Sequence, residues 1–430
     1  MRDNILILGA GLTGLSAAYH MKSGYTILEK NGSAGGLCGS VREGGFTFDY
    51  TGHLLHFKDP GIEALVKKLM AGNLKKTEKN SWIYLKNIRV PYPFQANFQN
   101  TGLPERVRNE CLKGLIEARS NRKKKKKPSF YEWASENLGE GIVKHFIRPY
   151  NEKMWKFPIE KLTFEQMGRY FPRLKSGKWR GGYNDFFYYP VSGGIQSLCD
   201  AIPVKNLSLD TEVEKIDLKD KMVFFRKGKI RGETPFSSLI STLPLKKLVL
   251  DIVEDVPSRV RDAARKLKCS SVLNINLGIE RERITDKHWI YFPEKRFIFY
   301  RAGFPMNFSE NVVPRGTSSI YTEVSYRPEE KRQVLKNSKK IVRQVIEDLI
   351  EAGVLRRGDG ISAEVVLEME YAYVLCDSYY RKSVKIMKDY LEKNSIYSTG
   401  RYGAWKYSGM DDAILDGKEA AGWIEKKLRT

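Results

Sequence analysis

The stretch Asn4 to His20, "NILILGAGLTGLSAAYH", runs from an apolar strand through Gly-Ala-Gly-Leu-Thr-Gly into an apolar helix. In such a G-x-G-x-x-G turn the first glycine, Gly9, permits the sharp reversal. The second, Gly11, lets backbone approach a pyrophosphate, and the third, Gly14, lets the helix pack on the strand. The helix N-terminus then offers unpaired N–H groups and a positive dipole end to the anion. Glu29 stands twenty residues after Gly9, at the end of the strand "YTILEK", where a carboxylate can accept ribose hydroxyls. Strand, turn, helix, strand and acid in that order predict a dinucleotide-binding βαβ unit over Ile5 to Lys30.

Glu29 and Lys30 are followed by Gly35-Gly36, a pair that lets the chain turn back beside the nucleotide. This E-x5-GG extension resembles the glutathione-reductase-like and amine-oxidase-like flavoproteins more than nicotinamide dehydrogenases. The resemblance implies FAD, with Gly9, Gly11, Gly14, Glu29, Lys30 and Gly36 around it. The C-terminal "GRYGAWKYSGMDDAILDG" supports this, since such flavoproteins place a second helix N-terminus, here at Met410, near the pyrimidine edge of the flavin.

Composition narrows the partners. A chain of 430 residues is expected to hold a nucleotide domain plus one or two substrate domains. The net charge of +23 fits nucleic acid, an anionic membrane surface or a phosphorylated substrate. No zinc-finger, RRM or helix-turn-helix pattern accompanies it, so nucleic acid is not expected. The densest basic run, Arg122 to Lys127, reads as a solvated loop. No stretch approaches the roughly 20 apolar residues of a bilayer span, and the N-terminus enters a strand instead of a signal peptide. A cytoplasmic protein is expected, with peripheral membrane contact left open. Cys38, Cys111, Cys199, Cys269 and Cys376 are scattered and never form a CxxC pair, so neither a disulfide framework nor a zinc site is expected. His53 and His56 have no carboxylate at ligand spacing, and no metal is expected.

The pattern along the chain predicts an α/β protein. A discontinuous Rossmann-like FAD-binding domain takes residues 1–75, 190–250 and 390–430. A helical substrate domain takes 76–189, and a mostly antiparallel sheet domain with one long helix takes 251–389. Val107, Cys111, Leu112, Leu115 and Ile116 recur at helical spacing within a mostly helical region from about 60 to 175, as do Leu138, Ile142, Val143, Phe146 and Ile147.

Aromatic residues lie beside arginines and amides in short segments: "VPYPFQ", "RPYNEKMW", "MGRYFP", "GGYND", "HWIYFPEKRFIFYRA" and "EYAYV". Rings stack on a base, guanidinium forks bind phosphate bidentately, and amides read hydroxyls, which together suit a nucleoside diphosphate sugar. In this combination the chain resembles the UDP-galactopyranose mutases, the eukaryotic type more than the short bacterial one. The resemblance implies that His53, in "FDYTGHLLHF", lies near the flavin N5. It implies that Tyr92 and Gln95 hold the uridine, that Asn151 contacts the nucleotide, and that Trp155 packs on the uracil. Arg169 and Arg301 would bind the diphosphate, Asn184 the sugar or a phosphate, and Tyr291, Tyr373 and Tyr407 would grip the diphosphate. Arg401 would sit beside the flavin. The chain departs from the family after the tyrosine of "WKYSGMDD", where it has Gly409, and three residues after His53, where it has His56.

The activity so implied is interconversion of pyranose and furanose forms of a nucleotide sugar, UDP-galactose first. FAD, active when reduced by a donor such as NAD(P)H, would act as nucleophile through N5 toward the anomeric carbon. The competing expectation is a flavin oxidoreductase of the amine-oxidase or protoporphyrinogen-oxidase type. It accounts for the glycine motif equally well and leaves the arginines and tyrosines unexplained.

Overall fold

The computed structural model describes residues 4–120, 125–164, 173–175, 178–180 and 185–429. A five-stranded parallel sheet runs in the order Leu207–Ser208, Thr26–Leu28, Ile5–Leu8, Ser238–Ser241, Ile396–Ser398. Parallel sheets are covered on both faces, so the uninterrupted "ILIL" of the first strand is entirely buried. The helices Leu12–His20 and Met410–Lys427 pack against one another over this sheet, so closely that a Cβ on Gly417 would lie 2.5 Å from Thr13 O. A separate antiparallel meander comprises Thr211–Asp217, Met222–Lys227 and Ile230–Pro235.

The second sheet has seven strands, in the order Ile361–Leu375, Lys268–Ile279, Ser318–Tyr326, Arg301–Gly303, Trp289–Tyr291, Ser81–Leu85, Ile88–Pro91. All neighbours are antiparallel except Trp289–Tyr291 with Ser81–Leu85. The long helix Ser338–Glu351 buries Val342, Val345 and Leu349 against one face. The other face meets a helical layer whose core includes Val107, Cys111, Leu115, Phe130, Leu138, Ile142, Phe146 and Trp155.

Three expectations need correction. The region from about 60 to 175 opens on the helix Pro60–Met70 but then holds three strands, Lys75–Glu78, Ser81–Leu85 and Ile88–Pro91. The last two form a hairpin whose central residues, Lys86 and Asn87, both have positive φ (53° and 62°), the handedness that matches strand twist. On the helix Glu105–Ser120, Val107, Cys111 and Leu115 are buried, but Leu112 and Ile116 are exposed because they stand one 100° step off the buried stripe. Beyond the long helix the chain adds a 15-residue strand, Ile361–Leu375, and a further helix, Tyr380–Lys393. Of the basic run, Lys125 to Lys127 are exposed, and Lys125 pairs with Glu132 at 2.5 Å.

Candidate functional site

Backbone geometry builds the first half of the site. Gly9 has a φ of 94° and donates its N–H to Leu28 O at 2.8 Å. A Cβ on Gly14 would lie 2.0 Å from Gly9 O, so the helix can start against the strand only with no side chain there. A Cβ on Gly11 would meet no protein atom within 4 Å. The turn therefore faces open space at Gly11, bordered by Gly36, whose own Cβ position lies 3.3 Å from Gly11 Cα. Glu29 is buried and accepts the Ala10 N–H at 2.7 Å on one carboxylate oxygen and the Asn31 N–H at 2.9 Å on the other. Each oxygen keeps a lone pair, enough for the two hydroxyls of a ribose. Lys30 is exposed. Met410 opens the helix Met410–Lys427 and packs in the same core as Leu12 and Leu15.

A belt of tyrosines forms the second half. Arg301 and Glu323 face each other across neighbouring strands. Glu323 has no exposed surface, and it accepts Arg301 Nε at 2.8 Å, Arg301 Nη2 at 2.5 Å and the Tyr300 hydroxyl. The Tyr300 hydroxyl lies 3.2 Å from that of Tyr373, whose ring stacks on Tyr407 with centroids 5.8 Å apart. The Arg401 guanidinium lies over both rings, 5.8 Å from Tyr373 and 4.9 Å from Tyr407, and donates to Ser408 O and Ala372 O. In the other direction Tyr291, opposite Arg301 in its hairpin, contacts Tyr150 and then Tyr92, at centroid distances of 5.2 and 5.4 Å.

Electrostatics set the protonation states. Burial first, and then the Glu323 carboxylate, push the phenols of Tyr300 and Tyr373 up, so they remain hydrogen-bond donors. Burial, followed by the charge of Arg401, lowers His53 to about 4. His53 is therefore neutral near pH 7. Its Nδ1 is buried and has no hydrogen-bond partner among the described residues, and Thr51, two residues earlier, has a φ of 68°, rare for a β-branched residue. An orphaned ring nitrogen on a strained loop, in the field of two guanidinium groups, fits a site completed by a ligand.

The structure thus brings Tyr92, Tyr291, Arg301, Tyr373, Tyr407 and Arg401 into one continuous belt, with His53 in its field. Gln95 is buried on the short helix Phe94–Asn97. Asn151 gives its amide N–H to Ile147 O at 2.7 Å, one turn back in its own helix. Trp155 is only 2% exposed and packs in the helical core with its ring edge-to-face on Phe130 at 5.4 Å. Arg169 and Asn184 lie outside the described residues. Sequence reasoning passed over Glu323 and Tyr300. The signal for Glu323 was present, a single charged residue in the strand "SSIYTEVSY", all nine residues of which are buried.

Among the described residues no cluster of His, Cys, Asp or Glu could hold a metal, and no helix is long and apolar enough to cross a membrane. The open turn at Gly11, the two spare lone pairs of Glu29 and the orphaned His53 nitrogen together suit a flavin dinucleotide. Comparison with known proteins agrees. The fold is similar to that of a reduced UDP-galactopyranose mutase, at a TM-score of 0.89 and 26% identity over 99% of this chain and 96% of the other. It also resembles a putative protoporphyrinogen oxidase from Exiguobacterium sp. 255-15, at 0.78 and 16% over 99% of both chains. A third likeness is to cyclohexylamine oxidase from Brevibacterium oxydans IH-35A, at 0.70 and 12% over 100% of both. The profile of the flavin-containing amine oxidoreductases matches residues 12–424, nearly the whole of the chain whose glycine turn, acid and second helix are described here. The chain belongs to that family, and its cofactor is FAD.

Proposed function

We propose that this flavoenzyme is a sugar-nucleotide mutase that interconverts UDP-galactopyranose and UDP-galactofuranose. The observation that carries the reading is the belt itself. Oxidation of an apolar amine needs a greasy pocket beside the flavin, whereas here protonated phenols and a guanidinium held by a buried carboxylate converge near His53. Such a surface donates hydrogen bonds from many directions, which is what a leaving diphosphate requires as charge develops on it. The likeness to a UDP-galactopyranose mutase supports the same choice.

Reduced FAD, when bound, supplies the nucleophile for the anomeric carbon. The protein does the rest. Arg301 presents its remaining N–H groups to the departing diphosphate, its fork already oriented by Glu323. Tyr291, Tyr373 and Tyr407 donate phenolic hydrogens to the same oxygens. Tyr92, Gln95 and Asn151 hold the nucleoside, while Arg401 fixes the tyrosines nearest the flavin. Arg169 would supply a second guanidinium and Asn184 a contact to sugar or phosphate. Electrons from a reductant such as NAD(P)H would activate the enzyme without being consumed, in the cytoplasm.

The test is direct conversion. Enzyme reduced with dithionite and given UDP-galactopyranose should form a product of unchanged mass that separates chromatographically as the furanose isomer. Failure to form it, together with oxygen-dependent consumption of an amine or porphyrinogen, would replace the mutase with the oxidoreductase that shares this fold.

A further inference from the structure

The belt leaves a charge unaccounted for. Arg301 lies against the fully buried Glu323, so this pair presents a hydrogen-bonding fork with its positive charge balanced. Arg401 spends N–H groups on the Ser408 and Ala372 carbonyls at the other end of the belt. A diphosphate brings at least two negative charges, and recognition of such an anion requires an uncompensated cation.

Lys79 is one. It lies half-buried beside the belt, with Nζ 5.0 Å from the centre of the Tyr92 ring, and Tyr92 in turn contacts Tyr291, the residue opposite Arg301. Its backbone N–H is tied to Asp185 O at 2.9 Å, which fixes where the side chain starts. Among the described residues its ammonium has no ion-pair or hydrogen-bond partner. By contrast, the partly buried Lys406 pairs with Asp416 at 2.6 Å, and Lys153 donates to the carbonyls of Phe292 and Glu294. Burial outweighs the opposing pull of the nearby Asp185 charge and lowers the Lys79 ammonium to about 8, the sign that this charge costs stability in the free protein. The cation–π contact with Tyr92 offsets only part of that cost.

We infer that Lys79 is the cation that meets the diphosphate of the bound nucleotide, at the junction of Tyr92 with Tyr291, where the nucleoside end of the belt gives way to the phosphate-gripping end. The inference rests on the nucleotide-sugar reading and adds to it a residue whose charge is completed by the ligand. A group that costs stability when free and gains a partner when ligand binds has a distinctive signature. Removing its charge should help the free protein and harm the complex.

The experiment compares wild type, Lys79→Met and Lys79→Arg by thermal unfolding and by calorimetric titration with UDP, inorganic pyrophosphate and uridine. Methionine covers the same apolar surface without the charge, so Lys79→Met should unfold at the same temperature as wild type or higher. Its UDP dissociation constant should rise at least tenfold, pyrophosphate binding should weaken likewise, and uridine binding should stay unchanged. Lys79→Arg should retain most of the UDP affinity. Equal UDP affinity in wild type and Lys79→Met would overturn the inference and leave the mutase reading standing, as would equal losses for UDP and uridine. A wild-type protein that binds no UDP would remove both.

Discussion

In the glycine cradle, contacts run over short stretches of chain and from backbone to backbone; in the tyrosine belt they run between distant strands and from side chain to side chain. Gly9 N–H reaches Leu28 O across 19 residues, and Gly35 N–H reaches Ala10 O. Tyr300 and Tyr373 are 73 residues apart, and Tyr92 meets Tyr291 from another sheet edge. The cradle works by leaving side chains out, so that amides and a helix terminus face the ligand. The belt works by crowding polar side chains together and cancelling most of their charge internally. The first should therefore fail when an atom is added, and the second when a partner is taken away.

Gly14→Ala carries the largest expected effect. Its Cβ would fall 2.0 Å from Gly9 O, and relieving that contact should cost about 3 kcal/mol or more. The variant should purify without yellow colour and melt well below wild type. Gly11→Ala is the control that separates folding from binding. Its Cβ enters empty space, so the protein should melt within a few degrees of wild type yet retain little FAD. Normal FAD content in Gly11→Ala would show that the open space beside Gly11 is not where the pyrophosphate lies.

Arg301→Ala comes next. Loss of one charge-assisted fork should lower turnover roughly 30- to 1,000-fold, from about 2 to 4 kcal/mol of lost transition-state stabilisation. It should also leave Glu323 buried and unpaired, at a cost of about 3 to 5 kcal/mol in stability. Adding Glu323→Gln should recover much of that stability and none of the turnover. If the double variant regained turnover, Arg301 would be a structural partner of Glu323 and nothing more.

Much of the cradle was legible in the sequence because a local motif fixes local backbone: Gly9, Gly14 and Glu29 meet within one βαβ unit. The tyrosines and Arg301 were legible only through resemblance, since nothing in "RFIFYR" or "EYAYV" reveals which strands will lie side by side. Glu323 stood out as the single charge in a buried strand, but its partner was hidden because it depends on register: it lies opposite Arg301 only because the two strands pair as they do. The packing of Trp155 on Phe130 was likewise hidden, because an aromatic in a polar segment reads the same whether its ring faces a ligand or another ring. The hairpin at Lys86 and Asn87 escaped because its turn reads Lys-Asn where Asn-Gly is the usual signal.

Asp49 lies outside both regions and gives the smallest effect. Its carboxylate accepts Ser40 Oγ, the Tyr189 hydroxyl and the Ile195 N–H, while Asn274 from the large sheet donates to its backbone carbonyl. Burial outweighs these donors and raises the carboxyl to about 6. The folded state then holds its proton more tightly than the unfolded chain. Stability from this group is complete below about pH 4 and is lost as pH rises through 6, a change of about 3 kcal/mol at most. Chemical denaturation between pH 4 and 7 should show this fall in wild type and not in Asp49→Asn; identical pH profiles would mean that the carboxyl titrates normally.

The central claim is that the flavin of this enzyme serves as a nucleophile and is not consumed as a redox reagent. The most direct measurement counts electrons. Enzyme reduced once under anaerobic conditions, freed of excess reductant and supplied with UDP-galactopyranose should complete many turnovers to the furanose form while its flavin spectrum stays reduced, and oxidised enzyme should be silent. One equivalent of electron acceptor consumed per product, or full activity from oxidised enzyme, would contradict the account.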